Sequence, residues 1–126
     1  MCIICTNGYT NDILELNCCK EVSKIPDAFI NLKRLEISEN KKITEIPSTF
    51  TNLKSLDCFD TIITSIPDTL TNLRNLFCEN TKITEIPNTL TNLCVLQCNY
   101  TNITEIPNTF INLYELQCNY TKITEI

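Results

Sequence analysis

The sequence predicts a solenoid, a stack of about six short coils whose strands line up in one parallel sheet. Three observations predict it. Prolines fall at Pro26, Pro47, Pro67, Pro87 and Pro107, a spacing of 21 and then 20, 20 and 20, each preceded by Ile; a fixed period of this length is the signature of a repeat architecture. Ile46, Phe50, Leu53, Leu56, Cys58 and Ile63 recur with apolar counterparts in the units that follow, for example Ile66, Leu70, Leu73, Leu76, Cys78 and Ile83. Within a unit, Leu56-Asp57-Cys58 alternates between inward and outward as a short strand does.

Along the chain, residues 1–12 are expected to be an N-terminal cap and residues 13–126 the repeats, together one domain. Leu14-x-Leu16-x-x-Cys19 with Val22 and Ile25-Pro26 reads as a first coil, although Asn11 falls where its leading Leu should be. The regular units start at Ile46, Ile66, Ile86 and Ile106, each closing in a Thr-x-Ile-Thr tail. Pro67 and its equivalents have no N–H to donate to a ladder, so those segments belong on the turn-rich side opposite the sheet. No coil buries its apolar side alone, and stability is expected to come from stacking on neighbours. Leu113, Leu116, Cys118 and Ile123 have no polar segment after them to cover them, which suggests either a longer array or end-to-end self-association.

Leu73-x-x-Leu76-x-Cys78-x-x-Thr81-x-Ile83, and the same run at Leu53, Leu93 and Leu113, resembles the strand pattern of the leucine-rich repeats. The 20-residue length and the Ile-Thr-x-Ile-Pro ending are most similar to the short repeats of bacterial effectors, and the Asn, Ile and Thr bias is similar to repeat proteins of amoebae and their giant viruses. The resemblance implies an α/β-class leucine-rich-repeat solenoid, right-handed, with a concave parallel sheet, convex turns or 3₁₀ segments, little regular α-helix, and a protein partner on the concave face. The chain departs from the family in having Thr61, Thr81, Thr101 and Thr121 where Asn is usual, Asn40 and Cys19 standing there in the earlier units. A Thr hydroxyl can still bond the turn backbone. Asn31, Asn52, Asn72, Asn92 and Asn112 are expected to form a ladder of amides joining adjacent coils.

Fifteen acidic against ten basic residues leave a charge of −5, a poor match for nucleic acid. No run of 18 apolar residues suggests a membrane span, and the start of the chain has no secretory pattern. With no His and one Gly (Gly8), the usual triads, His general acid–base chemistry and Gly-rich phosphate loops are excluded. The chain is expected to be no enzyme and to need no cofactor. Nine Cys without a secretory signal fit thiols in a cytoplasmic compartment, or in the host cell if the source is a virus or pathogen. There the glycosylation patterns at Asn99, Asn102 and Asn119 carry no meaning.

Cys58, Cys78, Cys98 and Cys118 form a column that invites zinc, but stacked strands space their sulfurs by about 4.8 Å, too far in sum for one ion. They read as buried hydrophobes, a cysteine ladder. Cys2 and Cys5 with Cys18 and Cys19 are a weak zinc candidate, lacking the spacing of a knuckle, and no metal is assigned. Cys94 is expected to face solvent. Thr49-x-Thr51, Thr69-x-Thr71 and Thr89-x-Thr91 repeat with the coil as the arrays of ice-binding solenoids do, the alternative being turn residues that satisfy their own backbone. The outward columns of the sheet run Glu36, Asp57, Phe77, Gln97, Gln117; then Ser38, Phe59, Glu79, Asn99, Asn119; then Glu39, Asp60, Asn80, Tyr100, Tyr120. Aromatics ringed by polar groups fit a protein-binding surface. Phe59, Phe77, Tyr100 and Tyr120 are expected to anchor, the amides to hydrogen-bond, and the acidic residues of the early coils to steer a partner with a basic patch.

Overall fold

The computed structural model describes residues 3–6 and 12–124. Six three-residue strands, β1 (Glu15–Asn17), β2 (Arg34–Glu36), β3 (Ser55–Asp57), β4 (Asn75–Phe77), β5 (Val95–Gln97) and β6 (Glu115–Gln117), form one parallel sheet in chain order. A single helical turn, α1 (Ile3–Thr6), precedes them. The period seen in the sequence is the register of this sheet: Leu16, Leu35, Leu56, Leu76, Leu96 and Leu116 are successive partners.

Behind each strand the chain turns twice. The Pro47 carbonyl accepts the Phe50 N–H at 3.3 Å and the Phe50 carbonyl accepts the Leu53 N–H at 3.1 Å, and the pattern repeats from Pro67, Pro87 and Pro107. The proline thus stands where only its carbonyl is needed. These segments are turns, with no 3₁₀ helix among the described residues. Between turns and sheet lies a continuous core: Phe50, Leu53, Leu56, Cys58 and Ile63 and their counterparts in the next coil are fully buried. Each such side chain contributes roughly 1.5–3 kcal/mol on leaving water. In the last coil Leu113, Leu116, Cys118 and Ile123 are only partly buried against that core.

Two ladders of side chains tie coil to coil on the turn side. Asn52, Asn72, Asn92 and Asn112 each donate an amide N–H to a carbonyl of the preceding coil, at 2.9, 2.9, 2.8 and 3.1 Å. Thr49, Thr69, Thr89 and Thr109 donate their hydroxyls likewise at 2.6 to 2.7 Å. Four of the five asparagines expected to form this ladder do so; Asn31 makes no such bond among the described residues. The Thr hydroxyls bind the neighbouring coil's backbone rather than their own.

The first coil has a different register from the one read in the sequence. Leu16, not Leu14, pairs with Leu35, so Leu14 is 52% exposed and Cys18, buried, takes the inward place after the strand. Ile13 packs on the core where the leading Leu of the other coils stands. Leu14-x-Leu16-x-x-Cys19 fits the strand pattern two residues early, and it would set Leu14 21 residues before Leu35, whereas β1 and β2 are offset by 19 residues.

The 21-residue step from Pro26 to Pro47 has a local cause. From the inward residue after the strand to the next core Ile the second coil has one residue more (Ile37 to Ile43) than its successors (Cys58 to Ile63). Asn40 fills that longer turn: its amide donates to the carbonyls of Cys19 and Val22, and its Oδ1 accepts the N–H of Lys42 and Ile43. In the shorter turns Thr61, Thr81 and Thr101 are buried, and each donates its hydroxyl to the carbonyl three residues back, at 2.8 Å.

Candidate functional site: the sheet face and its rim

The register places Glu36, Asp57, Phe77, Gln97 and Gln117 in one row across the sheet. The row that begins at Ser38 follows two residues on, because the backbone ladder continues past the strands: the N–H groups of Cys58, Cys78 and Cys98 reach the carbonyls of Phe77, Gln97 and Gln117. Phe59 is 39% exposed; Phe77 and Glu79 are half-buried beside it. Towards the later coils the face is a net of amides. Gln97 donates to the Glu115 carboxylate at 2.9 Å, Asn99 donates to Gln117 Oε1 at 3.2 Å, and the Asn119 N–H reaches Asn99 Oδ1 at 2.7 Å. Glu115 was not among the expected face residues; it enters through its place opposite Val95.

The third row departs from a strand. Glu39, Asp60, Asn80, Tyr100 and Tyr120 have φ between 53° and 59°, the left-handed region. Asp and Asn tolerate it well, a bulky ring poorly. This row therefore forms a rim where the chain leaves the sheet. Tyr100 and Tyr120, 58% and 75% exposed, stack on one another with ring centres 4.7 Å apart and planes within 6°. The four expected aromatic anchors thus divide into a central pair, Phe59 and Phe77, and a rim pair. The sequence held a signal for this turn in Asp60 and Asn80, whose short side chains suit positive φ.

Charges on the face divide in the same way. Glu39 pairs with Lys20 at 2.8 Å, Asp60 with Lys41 at 2.6 Å, and Glu36 with Arg34 at 3.9 Å. Asp57 and Glu79 have no such cation among the described residues. Burial pushes the Asp57 carboxyl above its ordinary value, opposed by the Phe59 N–H, aided by the nearby Glu36 charge and opposed in turn by that of Arg34. Burial likewise raises Glu79, with Asp57 adding to it. The sheet centre therefore holds two carboxylates in a partly dry setting beside two phenyl rings.

Beneath this face runs the cysteine column. Cys58, Cys78 and Cys98 are fully buried free thiols. Burial pushes Cys98 up to about 12 and Cys58 and Cys78 also well above the ordinary thiol range. Cys94 is half-buried, and its thiol bonds the Asn92 carbonyl at 3.4 Å in an exposed setting. Among the described residues no three metal-ligating side chains converge. Of the zinc candidates, Cys18 points into the core and Cys19 is half-buried; Cys2 and the Cys5 side chain lie outside the described residues.

A family model described as Leucine Rich Repeat matches residues 31–53. The functional domain of InlJ from Listeria monocytogenes, described as including a cysteine ladder, superposes with a TM-score of 0.82 at 28% identity, covering 90% of this chain and 27% of that one. The chain folds as a leucine-rich-repeat solenoid. A Shigella effector leucine-rich-repeat domain matches at 21% identity with a TM-score of 0.80, covering 98% of this chain and 55% of that one. The Toll–Spätzle complex of Drosophila matches at 22% and 0.68, covering 86% and 17%. No curated protein sequence matches. The leucine-rich-repeat solenoid thus spans about a quarter of the InlJ chain, and its own buried thiols form a column through successive coils. Leucine-rich repeats commonly serve as protein-recognition scaffolds.

Proposed function

We propose that this solenoid is a non-catalytic recognition module that receives a basic side chain of a partner protein at the centre of its concave sheet. The observation that supports this is the pairing of Phe59 and Phe77 with Asp57 and Glu79. Two carboxylates raised by burial are unfavourably placed while alone, and an Arg or Lys between the rings gives them a counter-charge and the rings a cation–π partner. Glu39 and Asp60, already paired with lysines of this chain, contribute little to that attraction. The amide net of Gln97, Asn99, Gln117 and Asn119 offers hydrogen bonds beside it. The Toll–Spätzle complex among the structural neighbours is consistent with a protein partner. A reducing compartment suits the chain, given its thiol-rich core.

Selection of peptides from a random display library tests the reading. Selected peptides enriched in Arg or Lys, whose binding weakens about tenfold or more in Phe77→Ala and in Asp57→Asn, would support it. Peptides without basic residues, or binding unchanged in folded variants, would refute it. Because a cation must meet ionised carboxylates, affinity should also fall as the pH drops through the raised pKa values of Asp57 and Glu79, whose ordinary values are 3.8 and 4.5.

A further inference from the structure

The stack of Tyr100 and Tyr120 ends three coils before the row does. Its 4.7 Å repeat equals the spacing of neighbouring strands, about 4.8 Å, so the ring faces look along the solenoid axis. The next place in the row is Asn80, whose N–H bonds the Asn99 carbonyl as the Tyr100 N–H bonds that of Asn119. Asn80 does not continue the stack. Its amide is drawn to the Asp60 carboxylate at 2.7 Å, which Lys41 holds from the next coil at 2.6 Å.

Along this rim, and past the level of Asn80, runs a groove of about 440 Å³, lined from Lys41 and Asp60 through Asn80, Lys82 and Asn102 to both Tyr100 and Tyr120. Its size falls within the roughly 300–1,000 Å³ of small-ligand clefts. The Lys82 ammonium and the Asn102 amide that line it have no hydrogen-bond partner among the described residues. The surroundings thus offer one flat apolar face and, around it, a ring of polar groups. They are also built on a backbone that disfavours tyrosine.

We propose that this groove binds a pyranose ring of a carbohydrate, seated on Tyr100 as the third member of the stack. The ring's C–H face covers the phenol, and its hydroxyls meet the amides of Asn80 and Asn102 and the Lys82 ammonium. An aromatic ring would satisfy Tyr100 equally well, but it would bury two amides and an ammonium against carbon, at the cost of their bonds to water. A sugar has apolar and polar sides in the required arrangement. This site is separate from the sheet centre and stands or falls apart from it.

A microarray of immobilised oligosaccharides, followed by titration calorimetry with the free sugar that binds best, tests the proposal on four proteins. The unaltered protein should retain at least one glycan. Tyr100→Asn, which suits the left-handed backbone and so keeps the fold, should weaken it about tenfold or more. Asn80→Tyr should abolish binding by completing the stack with the protein's own ring, whereas Phe77→Ala should leave it unchanged. Failure of the folded protein to retain any glycan overturns the proposal, as does binding that persists in Tyr100→Asn or Asn80→Tyr, or that is lost in a folded Phe77→Ala.

Discussion

At Asn40 one buried side chain closes four hydrogen bonds, while Thr81, at the equivalent place two coils on, closes one. The difference follows from loop length, since the longer turn leaves more backbone groups without partners, and an amide can donate twice and accept twice where a hydroxyl has a single hydrogen to give. Asn40→Ala should therefore cost about 2–4 kcal/mol and Thr81→Ala about 1 kcal/mol, measured by urea unfolding. Thr81→Asn should not stabilise, because the shorter turn presents fewer groups to bind. The substitution of Thr for Asn was visible in the sequence as a departure from the family pattern. Its reason was not, because the extra residue at 41–42 shows up only as a step of 21 instead of 20.

At the scale of the element, each strand is three residues long and gains order only as a rung among others. The inward thiols illustrate what the rung environment does. With the pKa values of Cys58, Cys78 and Cys98 raised in the folded state, their contribution to stability is complete below the unfolded thiol value of 9.0 and is lost as the pH rises through the folded values. Above pH 9 each should remove up to about 1.4 kcal/mol per pH unit. The urea midpoint should accordingly fall steeply between about pH 9 and 11, less steeply in Cys98→Val. In native protein at pH 8 these three thiols should react with Ellman's reagent only as fast as the protein unfolds; rapid reaction would contradict their burial. The strand rows were legible in the sequence wherever period-two alternation holds, from Glu36 through Asp57 to Gln117. They ceased to be legible at Glu39, Asp60 and Asn80, where a change of backbone hand re-aims the side chain and alternation gives no sign of it. The same limit kept the tyrosine stack out of view, for it needs both the turn and the register.

For the whole molecule, stability is a sum of like interfaces between neighbouring coils. Two consequences can be measured. Leu76→Ala, in the fully buried middle, should cost about 2–5 kcal/mol, and Leu116→Ala, in a coil only partly covered, clearly less. Deleting residues 81–100, one 20-residue unit, should leave a folded five-stranded solenoid with a lower melting temperature, seen by circular dichroism. Loss of all structure would show that the coils are not interchangeable. The architecture was readable from the sequence because the same six apolar places recur, and errors average out over repetitions. The first coil had no such averaging, and there the register was misread by two residues.

The left-handed rim also bears on how such a surface changes over time. Many tight turns demand glycine and so display nothing, but here the turn is held by the Asn or Thr that follows and by the ladder beneath it. Each coil accepts a side chain of its own chemistry at that point, at a conformational penalty that is small for Asp and Asn and larger for Tyr. Glu, Asp, Asn and Tyr already occupy it in five successive coils. The rim is thus a row of interchangeable letters on a fixed frame, and a lineage can rewrite its specificity one letter at a time without disturbing the fold that carries them.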